Sequence, residues 1–317
     1  MPTTKPIQAM IVILSLLSAL APTSHARAEE PVKILTSIKP LALIIEEAFG
    51  EIVSVDYLLP PQASPHHYSL KPSDLRKLNQ AELFVWVGPG LENFVSGILK
   101  NRPSESTLSL LEAMELSSPN LLIHLDESER HSHGHQEVSV HSESAHAEDN
   151  NSEHAIDPHL WLSRSIAVAA AQAVGSYLTE HGNDSEAVLG AIGTFAENLT
   201  AATQDSGKVD DLHLITYHNA FAYLAVDLKL IITDVVTPQT DVNPGARHIV
   251  QLSEKTHSQQ TCVIVEPQFN SGLVDKIFRQ KGAHIIEVDP MAGEHSSYTE
   301  FFNTLLKQLI ACRSQIS

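Results

Sequence analysis

Short apolar runs alternate with helical spacings along the first part of the chain. Lys33 to Ile38 (KILTSI) reads as a strand, and LALIIEEAFG, stopped by Gly50, reads as a helix. Val53 to Leu59 is a second strand ended by Pro60-Pro61. Ser73 to Ala81 has a Ser cap and helical spacing, and Leu83 to Gly88 (LFVWVG) is strand-like again. A second set follows near the end of the chain: HLITY, LIITDVV, Cys262 to Gln268 and His284 to Asp289. Between the sets lie an Ala-rich helix, Arg164 to His181, and a longer helical stretch, Ser185 to Leu212, with Asn183 and Asp184 available as caps. Gly190, Gly193 and Gly207 weaken that second helix. Strands alternating with helices imply parallel sheets with crossovers, so the expected class is α/β. Two lobes, each a mainly parallel sheet flanked by helices, would be joined by long rigid helix.

Residues 1–28 stand apart from this pattern. Lys5 precedes an apolar run, Ala9 to Leu20, that is short for a bilayer span, and Ala26-Arg27-Ala28 fits a small-x-small cleavage site. The expectation is a signal peptide over residues 1–28 and an exported mature chain. An N-terminal membrane anchor is the alternative. The divisions that follow are an N-terminal α/β lobe over 29–162, a helical linker region over 163–212 and a C-terminal α/β lobe over 213–317.

Charge narrows the function. Without residues 1–28 the chain carries 18 basic and 38 acidic residues, a net charge of -20. Nucleic-acid binding needs basic patches that displace counterions, and nothing here supplies one. The acid surplus instead concentrates cations. Only Cys262 and Cys312 are present. In an exported chain two cysteines most often pair; a thiolate metal site is the alternative, although such zinc sites gather several cysteines.

The candidate chemistry lies in histidines of two kinds. His131, His133, His135, His141, His146 and His154 fall within an acid-rich tract. Over residues 126–153 that tract has too little apolar surface to offset chain entropy, so it is expected to be disordered. It would be either an inert linker or a weak auxiliary metal collector. His159 differs, because Asp157-Pro158 precedes it and Leu160-Trp161-Leu162 follows. Ligands in open α/β sheets gather beyond the carboxyl ends of strands. His66 follows the strand ending at Leu59, His218 follows LITY, and Asp289 ends HIIEV. Three neutral imidazoles with a carboxylate or water suit Zn2+, whereas Mn2+ or Mg2+ would want more carboxylates. His67 could replace His66 as the ligand. Tyr68, Tyr217, Phe221, Tyr223 and Trp161 read as cleft walls, and Asp157 and Glu266 as acceptors for a ligand's other ring nitrogen or as plain loop carboxylates. The loop Thr237 to Gly245 could border the cleft.

Four segments in order, Ser64 to Pro72 (SPHHYSLKP), Asp157 to Ser163 (DPHLWLS), Tyr217 to Tyr223 (YHNAFAY) and Val288-Asp289-Pro290, resemble the periplasmic zinc-binding proteins of bacterial high-affinity zinc ABC importers. The likeness runs over the whole mature chain and includes the acidic, His-rich insertion. It implies a helix-linked pair of lobes, zinc held in the cleft between them by His66, His159 and His218, and delivery to the membrane subunit of an ABC permease by a monomer that catalyses no reaction. Asp289 matches the carboxylate used by manganese-type members, so it is the candidate fourth position, directly, through water or in one state only; some relatives have Glu before the first ligand histidine, where this chain has Pro65. His218 stands where manganese members carry a carboxylate, which favours zinc. Cys262 and Cys312 resemble the disulfide pair of the zinc proteins. The alternatives are manganese or iron carriage, a metal buffer or adhesin with no permease, or a zinc hydrolase, which also uses three histidines with an open position.

Overall fold

The computed structural model describes residues 30–125, 156–237, 245–255 and 261–316. The expected signal peptide, the histidine tract with all six of its histidines, and most of the 237–245 loop lie outside the described residues.

Two four-stranded parallel sheets organise the chain. The first contains β1 (Val32–Thr36), β2 (Val53–Tyr57), β3 (Leu83–Trp86) and β4 (Thr107–Ser109) in the order β2-β1-β3-β4. The second contains β5 (His213–His218), β6 (Ile231–Thr237), β7 (Thr261–Val265) and β8 (His284–Glu287) in the order β6-β5-β7-β8. Each sheet therefore starts at an inner strand, goes outward to one side and returns on the other. The reversal falls between β1 and β3 in one sheet and between β5 and β7 in the other, where crevices open beyond the strand ends.

The helices are placed by their apolar faces. In α1 (Lys39–Phe49), Pro40 sits in the first turn, and Leu41, Ile44, Ile45 and Ala48 are buried. Gly50 ends it at φ +52°, a left-handed conformation that glycine adopts without steric cost. α2 (Pro72–Gln80), α3 (Asn93–Leu99) and α4 (Leu110–Ser117) complete the first half. α5 (Arg164–Glu180) starts where the Ser163 hydroxyl accepts from Ile166 N. α6 (Ser185–Ala202) starts where Asp184 accepts from Glu186 N and Ala187 N. These two helices pack together at Gly175, where an added Cβ would come within 2.8 Å of Ile192 Cδ1. The second helix is shorter than the sequence predicts. It stops before Gly207, and a 3-10 turn (Ser206–Val209) leads into β5, because glycine and the local Asp-Ser-Gly polarity favour a turn.

α7 (Ala222–Leu228), α8 (Ala246–Lys255), α9 (Gly272–Gln280) and α10 (Tyr298–Ile316) finish the chain. α10 buries Phe301, Phe302, Leu305, Leu306 and Leu309, and its Cys312 forms a disulfide with Cys262 of β7. The principal buried cluster is continuous from Ile34 of β1 through α1, α5 and α6 to α10. Polar ties join the halves as well: Trp161 Nε1 donates to Pro290 O at 2.8 Å, and the Tyr298 hydroxyl donates to Trp161 O at 2.8 Å. Among the described residues no helix is long and apolar enough to cross a membrane.

Candidate metal centre

His66, His159 and His218 come from three distant parts of the chain and meet in one place. One ligand nitrogen from each lies within 4.8 Å of the other two. The ring centroids are 5.5 Å apart for His66 and His159, 6.1 Å for His66 and His218, and 5.3 Å for His159 and His218. His159 is 1% and His218 4% exposed. His67 is exposed and stays outside the group.

Two of the three rings are held in the same way. Asp157 Oδ1 accepts from the main-chain N–H of His159 at 2.9 Å and faces its Nδ1 at 2.7 Å. The Asp-Pro-His sequence builds this grip, since a short acidic side chain readily bonds the backbone two residues on. Glu266 Oε1 accepts from His218 N at 3.4 Å and faces its Nδ1 at 2.6 Å. His218 ends β5 and Glu266 follows β7, so this pair straddles the switch point of the second sheet. A carboxylate on Nδ1 fixes that nitrogen as the N–H donor and leaves Nε2 as the basic nitrogen that could hold a metal. Asp157 and Glu266 are at most 1% exposed.

The histidines line a cavity of about 20 Å³, walled by Pro65, Trp161, Phe269, Pro290 and Met291 and also reached by Gln268. That is room for a single ion or water and falls far short of the several hundred Å³ that organic ligands occupy. The Trp161 ring lies 5.4 Å from His159 and the Phe269 ring 4.9 Å from His218. Of the aromatic walls expected from the sequence, Trp161 alone lines this cavity. Tyr68 packs on Phe94 and donates to Asp74, and Tyr217 stacks on Phe269 away from the lining. Phe221 is buried in the core, and the Tyr223 hydroxyl donates to Asp157 O. Tyr223 thus supports the loop that carries His159 rather than facing the cavity.

Asp289 is not brought into the three-histidine group. Its Oδ1 accepts from Gln268 Nε2 at 2.7 Å and from Met291 N at 2.9 Å, and its Oδ2 accepts from Gly293 N at 2.7 Å. Gln268 and Phe269 escaped the sequence reading, which took Gln268 only as the end of a strand and singled out Glu266 alone in that segment. The signal was their place, within three residues of Glu266 beyond a strand's carboxyl end.

The first sheet carries a related carboxylate at its own switch point. Glu92 is fully buried, its Oε1 accepting from the Ser37 hydroxyl at 2.5 Å and from Val87 N at 3.2 Å, and its Oε2 from Gly88 N at 3.0 Å. Burial pushes its pKa up to about 7 despite these donors.

Comparison with known proteins accords with this geometry. The zinc-uptake complex component A, periplasmic (ZnuA) family matches residues 34–312. The high-affinity zinc uptake system protein ZnuA of Haemophilus ducreyi is 28% identical over 312 residues, covering 94% of this chain and 97% of that protein. A crystal structure of ZnuA superposes with a TM-score of 0.70 at 21% identity, over 89% of this chain and 99% of that one. The FpvC protein of Pseudomonas aeruginosa, solved with Mn2+, superposes with a TM-score of 0.69 at 17% identity, over 90% of this chain and 100% of that one. Such distant structural likeness establishes the two-sheet fold and leaves the choice of metal to the site. The match over residues 34–312 identifies the chain as a member of the ZnuA family of periplasmic zinc-uptake components.

Proposed function

We propose that this protein captures Zn2+ in the periplasm and delivers it to the membrane subunit of an ABC-type permease. His66, His159 and His218 are the ligands, and zinc is cargo. The observation that carries this reading is the convergence of three imidazoles within 4.8 Å on a 20 Å³ cavity, two of them aligned by buried carboxylates. Zn2+ bound tetrahedrally at about 2.0–2.1 Å needs nitrogens roughly 3.3 Å apart. Capture then draws the rings together by at most on the order of 1.5 Å, a movement within the reach of side chains and loops. A cavity of this size supports carriage over hydrolysis, since a hydrolase must also admit a substrate beside its metal-bound water.

The rest of the reading follows from the sequence. Residues 1–28 direct export and are removed, and the mature protein acts as a monomer without nucleic acid or catalysis. The lobes, 29–162 and 213–317, flank the helical region 163–212, and the 126–153 tract supplies weak auxiliary metal sites. Zinc titration of the mature protein and its His66→Ala, His159→Ala and His218→Ala variants tests the proposal. One tight equivalent in the parent, weakened at least about 100-fold by each substitution, is expected from the loss of one ligand in three. A His159→Ala variant that binds zinc as tightly as the parent would refute the site.

A further inference from the structure

We infer that Gln268 sets metal selectivity by holding the Asp289 carboxylate back from the three histidines. The inference rests on the metal-carrier reading above and specifies how that site rejects harder cations. Asp289 is an acidic residue directly beyond a strand end of the second sheet, yet both of its oxygens are engaged away from the cavity. Gln268 Nε2 and Met291 N donate to Oδ1 at 2.7 and 2.9 Å, and Gly293 N donates to Oδ2 at 2.7 Å. Hydrogen bonds to an ionised carboxylate are stronger than neutral ones, so three together form a firm hold.

The orientation of the amide is fixed by its partners. Gln268 Nε2 donates to Asp289 Oδ1 and also to Pro61 O at 2.9 Å, and both partners can only accept. Pro61 opens the loop that carries His66, so one amide ties that loop to the Asp289 loop. Gly293 completes the enclosure. A Cβ there would come within 2.8 Å of Asp289 Oδ2 and 3.3 Å of Pro61 Cβ, so a larger residue would have to push the carboxylate out of its present place.

Gln268 lines the cavity and Asp289 does not. The oxygen left to Gln268 is its Oε1, which is buried and has no hydrogen-bond partner among the described residues. From this side, therefore, the site has a neutral amide oxygen in place of an anionic one. Carboxylate oxygens favour Mn2+ and other hard cations, while imidazole nitrogens favour Zn2+ over Mn2+. Freeing Asp289 adds the donor that a hard cation lacks here.

The test measures Zn2+ and Mn2+ dissociation constants by chelator competition on the disulfide-intact mature protein. The variants are the single changes Gln268→Ala and Gln268→Met, the double variant Gln268→Ala/Asp289→Asn and, to test zinc ligation by the carboxylate itself, Asp289→Asn. Gln268→Met keeps the side-chain bulk without the donors, and thermal unfolding of each variant reports its folding. Both single variants are expected to tighten Mn2+ about tenfold and to narrow the zinc-to-manganese ratio accordingly, with the gain lost in the double variant. A ratio within twofold of the parent in both folded single variants would overturn the inference. So would a gain that survives in the double variant, or an Asp289→Asn variant whose zinc affinity falls 100-fold, which would make Asp289 a zinc ligand already. Absence of tight zinc binding in the parent would instead overturn the metal-carrier reading.

Discussion

Replacing Glu266 by alanine tests whether His218 binds metal well because a carboxylate holds its ring. Glu266 Oε1 faces His218 Nδ1 at 2.6 Å, and the pair is almost fully buried. Removing the carboxylate takes away the acceptor that selects the tautomer, the contact that fixes the ring plane and one of two negative charges beside the cation. Losses of this kind weaken metal binding by about 10- to 100-fold, or about 1.4–2.7 kcal/mol. Glu266→Gln separates the contributions. Its amide oxygen still accepts from Nδ1–H, so orientation survives while the charge does not, and the loss is expected to be smaller than for alanine. The assay is competition for zinc against a chromogenic chelator, with near-UV circular dichroism reporting intact packing. A folded Glu266→Ala variant whose zinc affinity stays within twofold of the parent would refute the reasoning. It would mean that packing against Phe269, 4.9 Å from His218, suffices to hold the ring.

Other predictions concern stability and the accessory tract. Glu92 has a folded pKa raised from 4.5 to about 7, so its folded form holds a proton that the unfolded form gives up. The resulting stability is fully present below the unfolded pKa and is lost as pH rises from about 4.5 to about 7, by about 3 kcal/mol in all. Thermal unfolding of metal-free protein across that window should fall less steeply in Glu92→Gln than in the parent, and identical slopes would contradict the assignment. The Cys262–Cys312 disulfide closes a segment with a sequence separation of 50. In the chain-entropy model its loss costs about 4 kcal/mol, on the order of 10 °C in Tm. Calorimetry of Cys262→Ser/Cys312→Ser checks this, and a shift below about 2 °C would show that packing alone holds the last helix. Deleting residues 126–153 should remove the weak zinc equivalents and keep the tight one; loss of the tight equivalent would make the tract part of the main site.

The three histidines could be read from the chain because each carries a local signal. His218 ends a strand, His66 follows one, and His159 is fixed by the Asp-Pro before it and the apolar turn after it. The strands were legible from their apolar runs, and both sheets contain them in parallel order. The short β4 gave little signal, since three residues of Thr-Leu-Ser hold no alternation. α10 did carry a helical period, with buried residues at 301, 302, 305, 306, 309 and 312, although no strand pattern pointed to it. The setting of Asp289 was beyond the sequence. Its position after a strand end fits a ligand, but its orientation depends on two main-chain N–H groups and an amide 21 residues away. The roles of the cleft aromatics were equally hidden, because an aromatic beside a motif serves the core or the cavity according to packing.

The most direct test of the central claim is anomalous diffraction at the zinc edge from crystals of the zinc-loaded mature protein. One dominant peak about 2.0–2.1 Å from a nitrogen of each of His66, His159 and His218 is the predicted result. A dominant peak elsewhere, or none in this cavity at full zinc loading, would contradict it.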